Sequence, residues 1–439
     1  MKTVLVSFIT IITLAWGWEV LSPDHLSAGS LPWIAYREGL NLTGLLAISL
    51  MSLAMVLAIR PAWLEWPLGG LDRIYRLHKW SGILAAIFAA LHWLAEMADD
   101  PIEALFGEGG RINKDGFSAF AEPIRDLGED LGEWAFYVLI AMVALTLWKH
   151  FSYRLWRPLH RAMPALYLLL AFHSVVLAPA SYWIQPIGLL LALLLAAGTV
   201  ASLLSLTGRI GRSRQVSGSI TSVQNPSPNI VEVSCRLSEG WRGHRPGQFA
   251  LVTFDAGEGH HPFTIASAER GDRSVTFAIK ALGDYTRTLS RQLVVGSPVQ
   301  VEGPYGRFQL GHANTNAQQI WIAGGIGITP FIAWLESLQS EATTLVAADL
   351  HYRMQDRTSD PFVPRLQELC AQLPKVRLHL HDRQSDPLSA ETLVLGQDDT
   401  KRTEVWFCGP RGLGESLHHN LQQGWSGSLR FHQEAFEMR

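Results

Sequence analysis

Apolar residues follow two different rhythms along this chain. Up to about Gly208 they come in long blocks with few charges; beyond it they alternate with polar residues over short runs. About 20 consecutive apolar residues are what a helix needs to cross a bilayer. Six such helices are expected, over residues 1–20, 40–59, 78–97, 133–148, 160–178 and 182–206. The first block, MKTVLVSFITIITLAWGWEV, has one early lysine and is open to reading as a signal peptide. No small-x-small site follows it cleanly, and Trp16 and Trp18 suit a membrane interface, so it reads as a first membrane helix.

Residues 208–217, GRIGRSRQVS, read as a basic linker. After it the period is two. SGSITSVQ, NIVEVSCRL, FALVTF, SVTFAIKAL and SPVQVEGPYG read as short strands, and that many in so short a stretch suggests a small antiparallel β-barrel. From Gln318 the pattern changes again. QIWIAGGIGITPFIAWLESLQ reads as strand, glycine-rich turn and helix; further strands (TTLVAADLHYR, KVRLHLHDR, TEVWFCGP) alternate with helices (PFVPRLQELCAQL, GLGESLHHNLQQ). That alternation implies an α/β domain with a parallel sheet, whose ligands sit at the carboxyl ends of its strands. The expectation is a multidomain membrane protein: a transmembrane bundle over 1–208, a barrel over 209–313 and an α/β domain over 314–439.

Charge adds orientation. The net charge is −3 and 17% of residues are charged, which gives no reason to expect a nucleic-acid partner. Arg60, Arg73, Arg76 and Lys79 cluster in one connection, and Lys149, Arg154, Arg157 and Arg161 in another, while residues 98–132 are acid-rich. The positive-inside rule places the basic connections and both termini in the cytoplasm, for a multi-pass protein of the inner (cell) membrane with its non-membrane half cytoplasmic. The three cysteines are scattered through that half and make neither a disulfide framework nor a metal-binding spacing.

Six histidines precede residue 200, and four of them make matched pairs. His78 and His92 bracket one apolar block; His160 and His173 bracket another. Spacings of fourteen and thirteen residues correspond to a rise of roughly 20 Å. A histidine in a membrane helix can simply bond a neighbouring helix. Two pairs at matching depths instead suit two irons, each gripped from both sides, since imidazole is a standard axial haem ligand. The thirteen-residue step turns an ideal helix about 140° away, so Pro164, between the two histidines, is expected to bend or rewind that helix.

The second half carries motifs in a telling order: RPGQF, HPFTIAS, KALGDYT, EGPYG, AGGIGITP and CGP. AGGIGITP puts glycines where backbone approaches a phosphate at a helix start, although it is not the GxGxxG of ordinary dinucleotide folds. With these motifs, residues from about 217 to 439 resemble the ferredoxin–NADP reductase superfamily. The whole chain resembles the NADPH oxidase and ferric reductase family. The resemblance implies six membrane helices with two b-type haems held by His78, His92, His160 and His173, an FAD barrel and a nicotinamide domain.

The same resemblance assigns roles. His261 approaches the FAD phosphates, Thr264 lies near flavin N5, and Pro262 and Phe263 shape that strand against the ring. Lys280, Gly283, Tyr285 and Thr286 resemble the second FAD segment. Gly324, Gly325, Gly327 and Thr329 resemble the NADPH pyrophosphate turn, and Cys408, Gly409 and Pro410 the segment facing the nicotinamide. Phe436 resembles the C-terminal aromatic that covers the flavin. Phe263 and Phe436 as core residues, and Cys408 as a buried strand end, are the structural alternatives. Arg353 ends a strand where this superfamily meets the adenosine ribose. With Tyr352 as an adenine surface it points to NADPH over NADH, although Asp356 blurs that preference and a plain surface arginine is the alternative.

Flavin takes a hydride and releases single electrons, so it belongs between NADPH and one-electron haem. Leu166 and Tyr167 lie between the two haem levels. Arg37 matches an arginine placed by the outer haem in the oxidases, with an interface arginine as the alternative; Glu96 stands where animal oxidases carry a further histidine. The expected acceptor is O2, giving superoxide, with a ferric chelate as close rival and a quinone or periplasmic protein as a further alternative. Lipid is the expected surrounding, and no obligatory protein partner or regulatory segment is evident.

Overall fold

A computed structural model of the protein describes residues 2–21, 30–109, 111, 122–148, 151, 153–314, 316–340, 346–394 and 401–434. The chain divides into two compact units, Met1–Ile210 and Gly211–Arg439.

The first unit is helical. Its long elements are α1 (Lys2–Val20), α2 (Leu31–Ala58), α3 (Leu71–Glu96), α4 (Glu122–Leu147), α5 (Tyr153–His160), α6 (Met163–Leu177) and α7 (Pro186–Leu206). Among the described residues, five helical stretches are long and apolar enough to cross a membrane. The count is six if α3 and the bent continuation Asp99–Phe106 form one span. In a membrane the backbone must satisfy itself, which is why these segments are helices throughout. Three helices start well before the hydropathy reading, α3 among them at Leu71 rather than at 78. Helix α2 starts well before residue 40, and α4 starts at Glu122, ahead of its apolar run. In α4 the early turns bury Gly128 and Gly132. Neighbouring helices rather than lipid therefore determine where it begins.

The expected distortion at Pro164 is present as a break. Helix α5 ends at His160, and α6 begins at Met163 with Pro164 in its first turn. Proline has no N–H to give to the carbonyl four residues back, here that of His160, and its ring clashes there. A single unbroken helix through both histidines is excluded at that residue.

The second unit opens with a six-stranded antiparallel sheet in the order β4-β3-β6-β1-β2-β5. Its strands are β1 (Gln215–Ser227), β2 (Ile230–Leu237), β3 (Phe249–Thr253), β4 (His261–Thr264), β5 (Ser274–Lys280) and β6 (Pro298–Tyr305). The two edges meet just past β4: an Ile265–Phe277 bridge joins them, and the Ala266 N–H donates to the Thr276 carbonyl at 2.7 Å. Closure removes the open edges that an antiparallel sheet must otherwise protect. The interior is Val216, Val233, Cys235, Val252, Phe277 and Val301 with their neighbours. A helix, α8 (Asp284–Gln292), follows β5; its polar composition hid it from the sequence reading.

A five-stranded parallel sheet follows, in the order β11-β10-β7-β8-β9. Its strands are β7 (Gln318–Gly324), β8 (Ala348–Met354), β9 (Val376–Asp382), β10 (Thr403–Cys408) and β11 (Leu429–Gln433). Counted within the domain this is the 3-2-1-4-5 arrangement, whose switch point lies between its first and fourth strands, β7 and β10. One face packs on α9 (Thr329–Ser340) and α10 (Val363–Ala371) through Trp321, Leu350, Tyr352, Phe331 and Trp334. The other packs on α11 (Arg411–Gly424) through Ile320, Ile322, Phe407, Leu417 and Leu421. Ala266, Ala278 and Phe308 of the barrel join the first of these cores, and the Trp334 indole donates to the Pro246 carbonyl at 3.0 Å.

Candidate functional site

In the helical unit the four histidines come together as two pairs. The imidazole centroids of His78 and His160 are 6.0 Å apart, and those of His92 and His173 are 6.3 Å apart. Ring planes are close to perpendicular in both, at 86° and 87°. An imidazole nitrogen lies about 1.1 Å from its ring centre and bonds a metal at about 2.0 Å, so two coaxial imidazoles on one metal have centres about 6.2 Å apart.

Backbone carbonyls orient three of the rings. His78 Nδ1 is 2.9 Å from the Ala54 oxygen, His92 Nδ1 2.9 Å from the Leu40 oxygen, and His173 Nδ1 2.9 Å from the Gly128 oxygen. A carbonyl only accepts, so Nδ1 carries the proton and Nε2 keeps its lone pair for a metal. His160 is held differently, by stacking on Trp156 at 4.8 Å. Ala54 and Leu40 are fourteen residues apart on α2, the spacing of His78 and His92 on α3. Antiparallel pairing of the two helices therefore holds both rings at once.

Glycines make the room. A Cβ on Gly132 would lie 2.1 Å from His173 Nδ1, and one on Gly44 would lie 2.9 Å from His92 Nδ1. Sequence reasoning missed these two, and the three carbonyls that accept from the rings; glycine within an apolar helix was the available signal. Between the two pairs, the Tyr167 hydroxyl lies 2.8 Å from Ser52 Oγ and over Gly198, fully buried. Arg37 Nε donates to the Glu38 carboxylate at 3.2 Å, one turn from the Leu40 carbonyl that holds His92. Among the described residues no group of three or more His, Cys, Asp or Glu side chains is arranged to hold a metal ion. A bis-histidine haem asks for two.

In the second unit the motif residues converge on the ends of β4, β5, β7 and β10. His261 opens β4 and stacks on Tyr285 at 4.3 Å; Thr264 closes β4, buried, opposite Phe249. Burial, then the charges of Asp255 and Glu258, push the Tyr285 phenol up to about 12, so it stays a neutral hydroxyl. Pro262 and Phe263 pair with Leu251 and Ala250. The Thr286 hydroxyl accepts from the Leu282 and Gly283 N–H groups at 3.0 and 2.9 Å, which spends its lone pairs on the turn that starts α8.

At the switch point β7 runs into a glycine-rich turn and then α9. Gly325 has φ +56°, which favours glycine, and its nearest neighbour on the side a Cβ would occupy is Lys280 Nζ, 3.9 Å away. The turn lies hard against the end of β10. A Cβ on Gly327 would lie 2.2 Å from the Cys408 carbonyl oxygen, and one on Gly324 would lie 2.8 Å from Pro410. A Cβ on Gly409 would lie 3.0 Å from the Gly324 nitrogen. These glycines let two strand ends and a helix start share one crevice, the kind of place where backbone N–H groups suit a phosphate. Thr329 begins α9 and its hydroxyl donates to the Ile326 carbonyl. Cys408 is fully buried, and burial, with Glu434 adding to it, holds its thiol well above the usual range.

Two expectations at the adenosine end need correcting. Tyr352 is fully buried in the core and its hydroxyl donates to Asp360 at 2.9 Å, so it offers no surface to adenine. Alternation along β8 puts Tyr352 and Arg353 on opposite faces. Asp356 accepts from the Thr358 N–H and the Thr358 and Ser359 hydroxyls of its own loop rather than turning toward a ribose. Arg353 stands partly exposed at the end of β8, between Gly324 and His381 in register. Phe436 lies outside the described residues.

A bundle of membrane-length helices, a closed antiparallel barrel and a 3-2-1-4-5 parallel sheet define a membrane-associated, flavin-dependent electron-transfer reductase. Residues 43–171 match the family model described as ferric reductase like transmembrane component, and residues 215–309 that of an FAD-binding domain. The chain belongs to the ferric reductase/NADPH oxidase-like family with a ferredoxin–NADP reductase-type dehydrogenase half, and is an oxidoreductase. It is 32% identical over 222 residues to the heme-dependent oxidative N-demethylase beta subunit of Ectopseudomonas mendocina, covering 49% of this chain and 68% of that one. It is 26% identical to the propane 2-monooxygenase reductase component of Mycolicibacterium smegmatis, covering 43% and 59%. A ferredoxin NADP+ reductase from Neisseria gonorrhoeae with bound FAD and NADP superposes with a TM-score of 0.41 at 16% identity, over 50% of this chain and 98% of that chain.

Proposed function

We propose that the protein carries electrons from cytoplasmic NADPH through FAD and two bis-histidine b-type haems to an acceptor at the other membrane face. The observation that carries this reading is the pair of imidazole separations, 6.0 and 6.3 Å, which bracket the spacing of two ligands on one metal. His78 and His160 would hold the haem nearer the cytoplasmic face, His92 and His173 the one nearer the outer face. When bound, flavin supplies the conversion of a hydride into two single electrons, and haem iron accepts them singly.

The protein's own residues do the rest. Ala54, Leu40 and Gly128 fix the ring tautomers; Gly44 and Gly132 leave the rings their space. His261, Thr264, Lys280 and Tyr285 line the FAD side of the crevice, and Gly324, Gly325, Gly327, Thr329, Cys408, Gly409 and Pro410 the nicotinamide side. Neutral Cys408 packs without bringing a charge near the hydride path. Arg353, the cation at the end of β8, favours NADPH over NADH. The division of labour is membrane and haem over 1–208, FAD over 209–313 and NAD(P)H over 314–439, with the basic connections cytoplasmic.

Held by a histidine on each side, a bound haem would leave its iron no place for an acceptor and would supply electrons from its exposed edge. O2 giving superoxide, or a ferric chelate, requires no more from the protein than that accessible edge. The relatives named as oxygenase reductase components favour a second reading, in which the flavin serves a separate protein acceptor. Replacing His173 with alanine separates the two. On the transmembrane reading the haem content by pyridine haemochrome halves and reduction of the outer acceptor is lost, while NADPH still bleaches the flavin. Two haems retained would remove His173 from the ligand set.

A further inference from the structure

Helix α1 meets the bundle along one seam. Its buried residues are Leu5, Ile12 and Glu19, seven residues apart, while Leu14, Trp18 and Leu21 face outward. A carboxyl in such a seam is costly to bury unless something uses it. Glu19 is 6% exposed and its Oε2 has no hydrogen-bond partner among the described residues. A second buried carboxyl, Glu38, lies in the same cluster at 4% exposure, taking the Trp16 indole N–H and Arg37 Nε at 3.2 Å each. The third polar group is Tyr182, from the connection between α6 and α7. Its hydroxyl is buried beside the Trp16 indole and feels the charges of Glu38, Glu19 and Arg37.

The location is specific. Glu38 stands two residues from Leu40, whose carbonyl holds His92. Tyr182 follows the helix that carries His173. Among the described residues, the charged groups that act on Tyr182 are Arg37 and Glu38 on α2 and Glu19 on α1, and α7 carries none. Tyr36, Asp99, Glu96 and Arg111 form a separate group toward the end of α3. Two buried carboxyls and a phenol in one place are side chains able to pass a proton.

Neither superoxide formation nor ferric reduction uses a proton. We propose that Glu19, with Glu38 and Tyr182, is a proton-donating site for an acceptor that takes up protons as it is reduced: a quinone approaching from the lipid beside α1. This deepens the electron-transfer reading and rests on it. The balance is NADPH + H+ + quinone giving NADP+ + quinol. Two electrons arrive singly from the His92–His173 end; each carbonyl oxygen of the quinone gains one proton through Glu19, which is reprotonated from the aqueous side. The outward-facing Leu14, Trp18 and Leu21 put lipid within one helix width of the cluster.

The test uses the full-length protein in lipid nanodiscs, with NADPH as donor and either a short-chain ubiquinone or ferric citrate as acceptor. Glu19→Gln keeps the shape and removes the proton. Expected is a loss of more than tenfold in quinone reduction, with ferric citrate reduction and the NADPH-reduced haem spectrum unchanged. Glu19→Asp should restore part of the quinone rate, and Tyr182→Phe should lower it. Equal quinone rates in wild type and Glu19→Gln, or no quinone reduction by a wild type that reduces ferric citrate, would overturn the proposal alone. Absence of a haem spectrum in the wild type would overturn the electron-transfer reading and this one with it.

Discussion

A methyl group on Gly132 would have to occupy space 2.1 Å from His173 Nδ1. That ring is not a loose side chain free to swing aside, because the Gly128 carbonyl holds its Nδ1–H one turn earlier on the same helix. On the proposed haem reading, Gly132→Ala is therefore expected to displace His173 and reduce the haem-to-flavin ratio from two to one. Gly44→Ala, with 2.9 Å to His92, should do less. Pyridine haemochrome against released flavin measures both, and a full complement in Gly132→Ala would mean that α4 gives way instead. At this scale much of the site was legible. The four histidines and the motif glycines are residue types with few other reasons to stand in those patterns. Tyr352 was misjudged because the strand pattern gives alternation but not which face is covered; the core on α9 and α10 decides that. The supporting carbonyls had no side-chain signature at all.

The break between α5 and α6 belongs to the element, not to any one ligand. Pro164 denies the His160 carbonyl its helical partner, and the two histidines face compatible partners because the helix is interrupted between them. Pro164→Ala would let residue 164 donate to His160 and favour one continuous helix. The thirteen-residue step would then swing His160 about 140° from the His173 face. On the same haem reading, the expected result is loss of the haem at His78 and His160 with the other retained, read as one haem whose flavin-driven reduction is slowed. Two haems at wild-type potentials would show that tertiary packing holds the break without the proline. Long periodic elements were readable in the sequence because membrane spans and buried strands repeat their pattern many times. Helix α8 and strand β11 were not, being short and rich in polar residues; β11 gains its place from β10 alongside it.

For the molecule as a whole, a set of stacked histidines on β8 and β9 sets a limit in acid. His351 lies between His379 and His381, with centroids at 4.5 and 5.3 Å, and bonds His381 at 3.0 Å; Asp349, Arg377 and Asp386 surround them. Burial first, then the neighbouring imidazoles, lowers His351 to about 3; burial also lowers His381. In the unfolded chain both titrate near 6.5, so below that pH the unfolded state binds protons that the folded state refuses. The contribution of His351 is complete above about 6.5 and is lost as pH falls toward 3, at up to roughly 1.4 kcal/mol per pH unit, and that of His381 is lost in the same direction. Heating the full chain and following flavin release should show a midpoint that falls from pH 7 to pH 5. His351→Phe, which fills the space without a proton site, should flatten that slope; an unchanged slope would place the acid sensitivity elsewhere.

The matched fourteen-residue spacings on α2 and α3 have a consequence for the energy state of the cell. On the electron-transfer reading, they set two redox levels roughly 20 Å apart along the helix axis, against a hydrocarbon core of about 30 Å. An electron moving between them is a current across most of the membrane's electrical thickness. A full crossing works with or against the transmembrane voltage by about 2.3 kcal/mol per 100 mV. With the dehydrogenase half in the negative cytoplasm, the resting voltage would drive electrons outward, and each turnover would partly discharge it. Turnover in sealed vesicles would then slow as the potential collapses and recover when a potassium gradient with valinomycin restores it.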